Sequence, residues 1–283
     1  MSKGFVIVAQ NTEQKDYVRM ATALAMSIKA SQRHNKVTLI TNNEVPDKDV
    51  FDSIVDIPWG DLAWKNTRNK IENVWKAIHA TPYDDTILLD ADLLFPKDAD
   101  TDSLWAFYAQ YDAAFCTCPM TYAGTKVNDY DDRKRFHDND LANVYSGVIY
   151  FKKNGNTYNL FTRLGEINEF WQEWYRHFLP VKDRPTRQDF DTSLNLALST
   201  CDGNFKFMTD PTTQFVDMNP LRMPQAGVKS ELWQLYWPST FTDNGQLFVN
   251  GFRICLPFHY HTDTWLTDEL LGIIRTWYAS ATV

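Results

Sequence analysis

The 283-residue sequence is short of cysteine, of net positive charge and of long apolar runs, and each shortage closes a class of function. Cys116, Cys118, Cys201 and Cys255 form neither a zinc-like double pair nor a dense disulfide framework. Reduced thiols in a cytoplasmic protein (host cytoplasm if the source is viral) are therefore expected. No stretch approaches the roughly 18 apolar residues of a membrane helix, and the start MSKGFVIVAQ is too briefly apolar for a signal peptide, so no membrane partner is implied. Lys and Arg number 28 against 36 Asp and Glu, a formal net charge of −8, which argues against a general affinity for nucleic acid. A local basic groove stays open, since Lys65, Arg68 and Lys70, then Arg133, Lys134 and Arg135, then Lys182, Arg184 and Arg187 cluster. Their plainer reading is solvated faces. Repeats, low-complexity tracts and obvious linkers are lacking too, so a single domain over 1–283 is expected.

Aromatic residues, by contrast, are plentiful: 10 Trp, 13 Tyr and 18 Phe are mostly core rings, but this many also suits stacking on sugars or bases. Phe5–Ala9 reads as a buried strand that ends in Gln10, Asn11 and Thr12, and a helix follows over Lys15–Ala30. KVTLITN is a second strand ending in Thr41 and Asn42, SIVDIPW a short third, and Asn69–Ala80 a second helix stopped by Pro82. TILLDADLLF, Thr86–Phe95, is the next strand. DAAFCTCPM and YSGVIYFKK predict two more, and the spacing of Leu160, Leu164, Ile167, Trp171, Trp174 and Phe178 predicts one amphipathic helix over Tyr158–Phe178, its tryptophans in the core. RQDFDTSLNLALS opens another helix, residues 210–256 read as loops and short strands, and Leu266–Tyr278 is the last helix. Continuous apolar strands alternating with helices define an α/β fold with a mainly parallel central sheet flanked by helices. Ligands bind such sheets beyond the carboxyl ends of the strands, where Gln10–Thr12, Thr41–Asn42 and Asp90–Asp92 converge.

Asp-x-Asp by itself carries little weight, because the chain has seven and only Asp90 and Asp92 follow directly on an apolar strand. At the strand period of two, both carboxylates point to one side and can share a hard divalent cation bridged to a diphosphate. His259 and His261, two apart in LPFHYHTDTW, can face one pocket as metal or phosphate contacts. Tyr145, Ser146 and Gly147 open a strand where Gly lets a ligand approach the backbone. Asp189 or Asp191 could cap the helix they begin, or face an acceptor hydroxyl.

In combination these features resemble the nucleotide-sugar-dependent glycosyltransferases of the GT-A (Rossmann-like) fold, and the glycogenin-like branch in particular. ILLDAD matches that family's Asp-x-Asp strand, YSGVIYF its Asn-x-Gly strand, RQDFDTSLN its Asp-Gln-Asp-like helix start, and His259 its late histidine. The agreement runs from Phe5 to about Trp265, although the late motif lacks the family's Gly and Lys, and Ser146 replaces its Asn. The resemblance implies a nucleotide-binding half over about 1–100 and an acceptor-side half over about 101–283. It also implies Mn²⁺ or Mg²⁺ held by Asp90, Asp92 and His259 or His261, and a donor, most simply UDP-linked, cradled by Ala9, Gln10, Asn11, Thr12, Thr41 and Asn42. Arg68, Lys70, Ala91, Ser146 and Gly147 would complete the donor site, with Asp189 or Asp191 facing sugar and acceptor and serving as base if configuration inverts. TPYDDTILLDADLLFPKD and ATALAMSIKAS also look like tailed-phage enzymes that glycosylate hydroxymethylated DNA bases, which would make DNA the acceptor. The alternatives are a protein or glycan acceptor, a haloacid-dehalogenase-type phosphatase, or a non-catalytic sugar-nucleotide-binding protein. Against the phosphatase, Leu94 stands where its motif needs Thr or Val, and Asp90 follows three earlier strands.

Overall fold

The apolar strands show no polar alternation because both of their faces are covered. The computed structural model describes residues 2–63, 70–127, 133–201, 206–210, 215–219 and 232–282. Within it β1 (Lys3–Val8), β2 (Val37–Ile40), β3 (Ser53–Val55) and β4 (Asp85–Leu89) build half of a seven-stranded sheet. The chain then leaves through β5 (Leu93–Leu94) and returns as β6 (Ala113–Cys116), β7 (Tyr145–Lys152) and β8 (Phe207–Asp210), giving the order β3-β2-β1-β4-β7-β6-β8. Every neighbouring pair is parallel except those made by β7, which runs antiparallel to β4 and β6. In β1, Phe5 and Ile7 enter one apolar layer and Val6 the other; in β4, Ile87 and Leu89 enter the first and Leu88 the second. A one-residue slip would exchange the residues of the two layers and spoil the packing of both at once, which fixes the register.

Helices supply the cover. The first layer takes α1 (Tyr17–Ser31), whose first turn is capped by Asp16, and the second takes α2 (Ala77–Ala80). Trp105 and Tyr108 of α3 (Asp102–Tyr108) extend the first layer. After the short α4 (Lys134–Asp138), helices α5 (Gly155–Glu169), α6 (Trp171–Phe178) and α7 (Phe190–Thr200) close the second. Beyond β9 (Val216–Asp217) and α8 (Trp233–Tyr236), an antiparallel meander of β10 (Ser239–Phe241), β11 (Leu247–Val249) and β12 (Phe252–Ile254) leads into β13 (Phe258–His259). Helix α9 (Asp268–Ala281) then packs against α1. No helix among the described residues is long and apolar enough to cross a membrane.

Three elements differ from expectation. TILLDADLLF is not one strand: β4 stops at Leu89, the Leu93 N–H donates to the Asp90 carbonyl at 3.3 Å, and β5 joins a second sheet in the order β5-β13-β9. The second helix is a 3-10 turn over Ile71–Lys76 followed by α2. Residues three apart eclipse in that tighter winding, which buries Asn73 and Lys76 together. The single helix expected over Tyr158–Phe178 breaks at Phe170, whose non-helical backbone (φ −116°, ψ 37°) separates α5 from α6, and Trp171 and Trp174 are only half-buried.

Long-range polar clamps hold the sheet edge. Asp52, just before β3, accepts from Lys29 Nζ (2.7 Å), Lys36 Nζ (2.9 Å) and the Val37 N–H (2.9 Å). Burial would raise its carboxyl, but these donors outweigh it and hold the pKa down at about 2. Because the folded value is depressed, its stabilisation is complete above the ordinary carboxylate range and is lost as pH falls through about 2. Asp52→Asn is expected to cost about 1 kcal/mol at neutral pH. Urea unfolding at a series of pH values should show that difference from the parent vanishing toward pH 2.

Candidate functional site

The reversed strand β7 decides what the site contains. Running against its neighbours, it brings its first residues, Tyr145, Ser146 and Gly147, to the edge where β1 and β4 end. There the Asp90 N–H donates to the Gly147 carbonyl at 3.1 Å. A Cβ on Gly147 would stand 3.4 Å from the Phe215 ring and 3.5 Å from His259 Nδ1, so the missing side chain keeps room beside the histidine. A cleft of about 560 Å³ opens at this edge, lined by both Asp-x-Asp carboxylates, Ser146–Gly147, both histidines and Asp191.

The small sheet delivers the histidines. In β13, His259 pairs with Leu93 of β5 on one side and with Asp217 of β9 on the other, while the Tyr260 N–H donates to the Asp92 carbonyl at 3.1 Å. His259 Nε2 thereby lies 2.9 Å from Asp92 Oδ1 and 3.9 Å from Asp90 Oδ2. The His261 ring stacks on His259 with centroids 3.7 Å apart, and its Nε2 bonds the Asp217 carboxylate. The acids thus converge through a turn rather than through strand alternation.

The charges are strongly coupled. Burial would lower His259, yet Asp92 and Asp90 overcome it and raise the imidazole to about 9. Burial would likewise raise Asp92, but the charge and hydrogen bond of His259 hold it well below the carboxylate range. Burial, with Asp92 and Asp191 close by, keeps Asp90 above that range against the pull of His259. His261 is lowered by burial and by the charge of His259. A pocket that holds a proton on His259 this firmly favours positive charge. One donor atom each from Asp92, His259 and His261 lies within 4.8 Å of the others, so the residues fit a divalent ion. Mg²⁺ demands oxygen ligands, whereas imidazole suits transition metals.

Opposite stand the acids of α7. Asp189 is the helix N-cap: its carboxylate accepts from the Thr192 N–H (3.0 Å) and from Arg135 (3.1 Å). Asp191 accepts from the Ser146 N–H (3.0 Å) and Ser146 Oγ (2.7 Å) and pairs with Arg133. Arg133 is 1% exposed, donates also to Asn143 Oδ1 (2.9 Å) and the Val144 carbonyl (2.7 Å), and lies 3.8 Å from the Tyr145 ring centre. The middle basic cluster is therefore not a solvated face at Arg133 and Arg135, whose side chains fold inward to meet these acids.

On the other flank Gln10 lines the cleft and links three elements, donating to Asn42 Oδ1 (3.1 Å) and accepting from Asn73 Nδ2 (2.6 Å). The remaining strand-end residues order the loops behind it. The Ala9 N–H donates to the Ile40 carbonyl (3.0 Å), Asn11 accepts from the Val18 N–H (2.9 Å), Thr12 from the Lys15 N–H (3.0 Å) and Thr41 from the Asn43 N–H (3.1 Å). Ala91 and Lys70 line the cleft, but the Lys70 ammonium already donates to the Ala63 carbonyl at 2.8 Å and lies 3.7 Å from Asp61. Arg68 lies outside the described residues. Sequence reasoning missed Asp217, which no spacing singles out. It also missed Tyr17, just past the polar end of β1, whose hydroxyl burial, Asp92 and Asp90 push far up.

No protein-family model matches the sequence, and no curated protein matches it by sequence either. Solved structures share its fold. The galactosyltransferase LgtC, in complex with donor and acceptor sugar analogues, aligns at a TM-score of 0.52 and 13% identity over 99% of this chain and 96% of its own. Mouse xyloside xylosyltransferase 1 in its apo form gives 0.51 and 12% over 93% and 99%. The Streptococcus pneumoniae TIGR4 glycosyltransferase GlyE gives 0.50 and 12% over 99% of this chain and 64% of its own. At these identities the likeness is one of fold, and the chain has the GT-A glycosyltransferase architecture.

Proposed function

We propose that the chain is a metal-dependent glycosyltransferase that moves a sugar from a nucleoside-diphosphate donor, UDP-linked, to a hydroxyl acceptor. The observation that carries this reading is the Asp90–Asp92–His259–His261 cluster at the carboxyl edge of β4, facing Asp191 and Ser146–Gly147 across one cleft of a GT-A fold. Asp92 and His259 or His261 would hold Mn²⁺, with Asp90 beside them; Mg²⁺ is the poorer match. The ion supplies a Lewis acid that neutralises the charge growing on the departing diphosphate. Gln10 and Tyr17 line the nucleoside side of the cleft. Asp189 or Asp191, each already paired with an arginine, would face sugar and acceptor. Arg133 and Ser146 hold the Asp191 carboxylate in place.

For the acceptor we favour 5-hydroxymethylcytosine in phage DNA. Arg187, exposed at the cleft, can meet a phosphate backbone, which an overall net charge of −8 would otherwise repel. Thermal-shift measurements with Mn²⁺ and a panel of nucleotide sugars test the donor. A matching donor at 100 times its Kd stabilises the native state by about 2.7 kcal/mol. The rise in melting temperature should be absent without the metal; a panel that leaves the protein unmoved contradicts the reading. Labelled-sugar transfer to a hydroxymethylated duplex, with a glycan and a protein acceptor alongside, tests the acceptor. Donor binding without turnover on any of them would identify a non-catalytic binding protein.

A further inference from the structure

The second histidine has its own support, apart from the Asp-x-Asp pair. His261 holds a left-handed backbone (φ 58°), which a residue with a side chain seldom adopts. Tight hydrogen bonding surrounds that bend: the Thr262 N–H donates to the Tyr260 carbonyl at 2.7 Å, and Lys15 Nζ reaches the His261 carbonyl at 3.1 Å. The bend turns the ring back over His259 instead of out to solvent. Asp217, 1% exposed, meets it there and bonds Nε2. Asp217 is delivered by the parallel pairing of β9 with β13, which sets it directly beside His259 in the ladder. The Met218 N–H donates to the His259 carbonyl at 2.9 Å, closing that ladder on the far side. An imidazole whose Nε2–H is donated to a carboxylate carries its lone pair on Nδ1, and a carboxylate behind a ligating imidazole both aims the ring and strengthens it as a donor.

We propose that Asp217 is a positioning residue for the metal site, holding His261 so that Nδ1 is presented to the ion as a second nitrogen ligand beside His259. The inference rests on the metal-dependent reading above and goes beyond it: the site would be a two-imidazole centre backed by a buried carboxylate. Such a donor set discriminates against Mg²⁺ in favour of Mn²⁺ and its transition-metal neighbours.

The test uses the full chain and Mn²⁺ alone. Electron spin-echo modulation of bound Mn²⁺ should reveal two directly coordinated imidazole nitrogens in the parent and one in His261→Ala. Asp217→Asn should weaken Mn²⁺ binding about 10- to 100-fold while far-UV circular dichroism stays native. A single coordinated nitrogen in the parent, or unchanged Mn²⁺ affinity in Asp217→Asn, overturns the proposal and leaves the metal-dependent reading intact. A parent chain that binds no Mn²⁺ overturns both. Should Asp217→Asn fail to fold, the nitrogen count of the parent against His261→Ala decides alone.

Discussion

Asp92→Ala is expected to lower metal-dependent donor cleavage and sugar transfer about 10³-fold, the loss of roughly 4 kcal/mol of transition-state stabilisation. The size follows from where the side chain sits. Asp92 is the acid that touches His259, at 2.9 Å, and it belongs to the donor cluster with both histidines. Removing it takes away one ligand and leaves His259 with the more distant Asp90. Far-UV circular dichroism of the variant separates this loss from a loss of fold. The same substitution has a second signature in the metal-free protein. With its nearest carboxylate gone, burial gains on His259, and the imidazole pKa should fall from about 9. Titration of the His259 ring by NMR checks this without any assay of activity. A variant that keeps full Mn²⁺-dependent turnover would remove Asp92 from the mechanism.

Arg133→Met is the counterpart on the far wall, and here the expected loss is one of stability: about 3–5 kcal/mol, the range for breaking a buried ion pair from one side. Arg133 is the more deeply buried member, and its guanidinium also satisfies Asn143 and the Val144 carbonyl while lying against the rings of Tyr145 and Phe136. Methionine can fill the space but cannot serve these acceptors or the Asp191 charge. If the charge left on Asp191 causes much of the loss, the double variant Arg133→Met/Asp191→Asn should be less destabilised than Arg133→Met alone. Equal or worse stability of the double variant in urea denaturation would show that the packing of Arg133, not its charge, holds this wall.

The legible parts of this protein are those governed by short-range rules. Buried strands such as Phe5–Ala9 and the run before Asp90 declare themselves by unbroken apolar character, and the polar ends of three of them mark the correct edge of the sheet. The hidden parts depend on pairing between distant segments. Nothing local in YSGVIYFKK tells that this strand runs backwards, yet that reversal sets Ser146 and Gly147 beside Asp90. Strand alternation does not bring the Asp-x-Asp acids together: both approach His259 Nε2 across a turn between two sheets. Asp217 had no sequence signal, because its partner is 44 residues away across a strand pairing of two residues. The arginines of the middle basic cluster carried a charge signal whose direction, inward to Asp189 and Asp191, only the fold reveals.

The most direct test of the central claim is release of nucleoside diphosphate from a panel of nucleotide sugars, followed with and without Mn²⁺ in the parent chain and in Asp92→Ala. The account predicts release from at least one donor by the parent with Mn²⁺, and almost none after chelation or in the variant. Release that survives both chelation and the loss of Asp92, or cleavage of phosphate monoesters with no nucleotide sugar turned over, would contradict it.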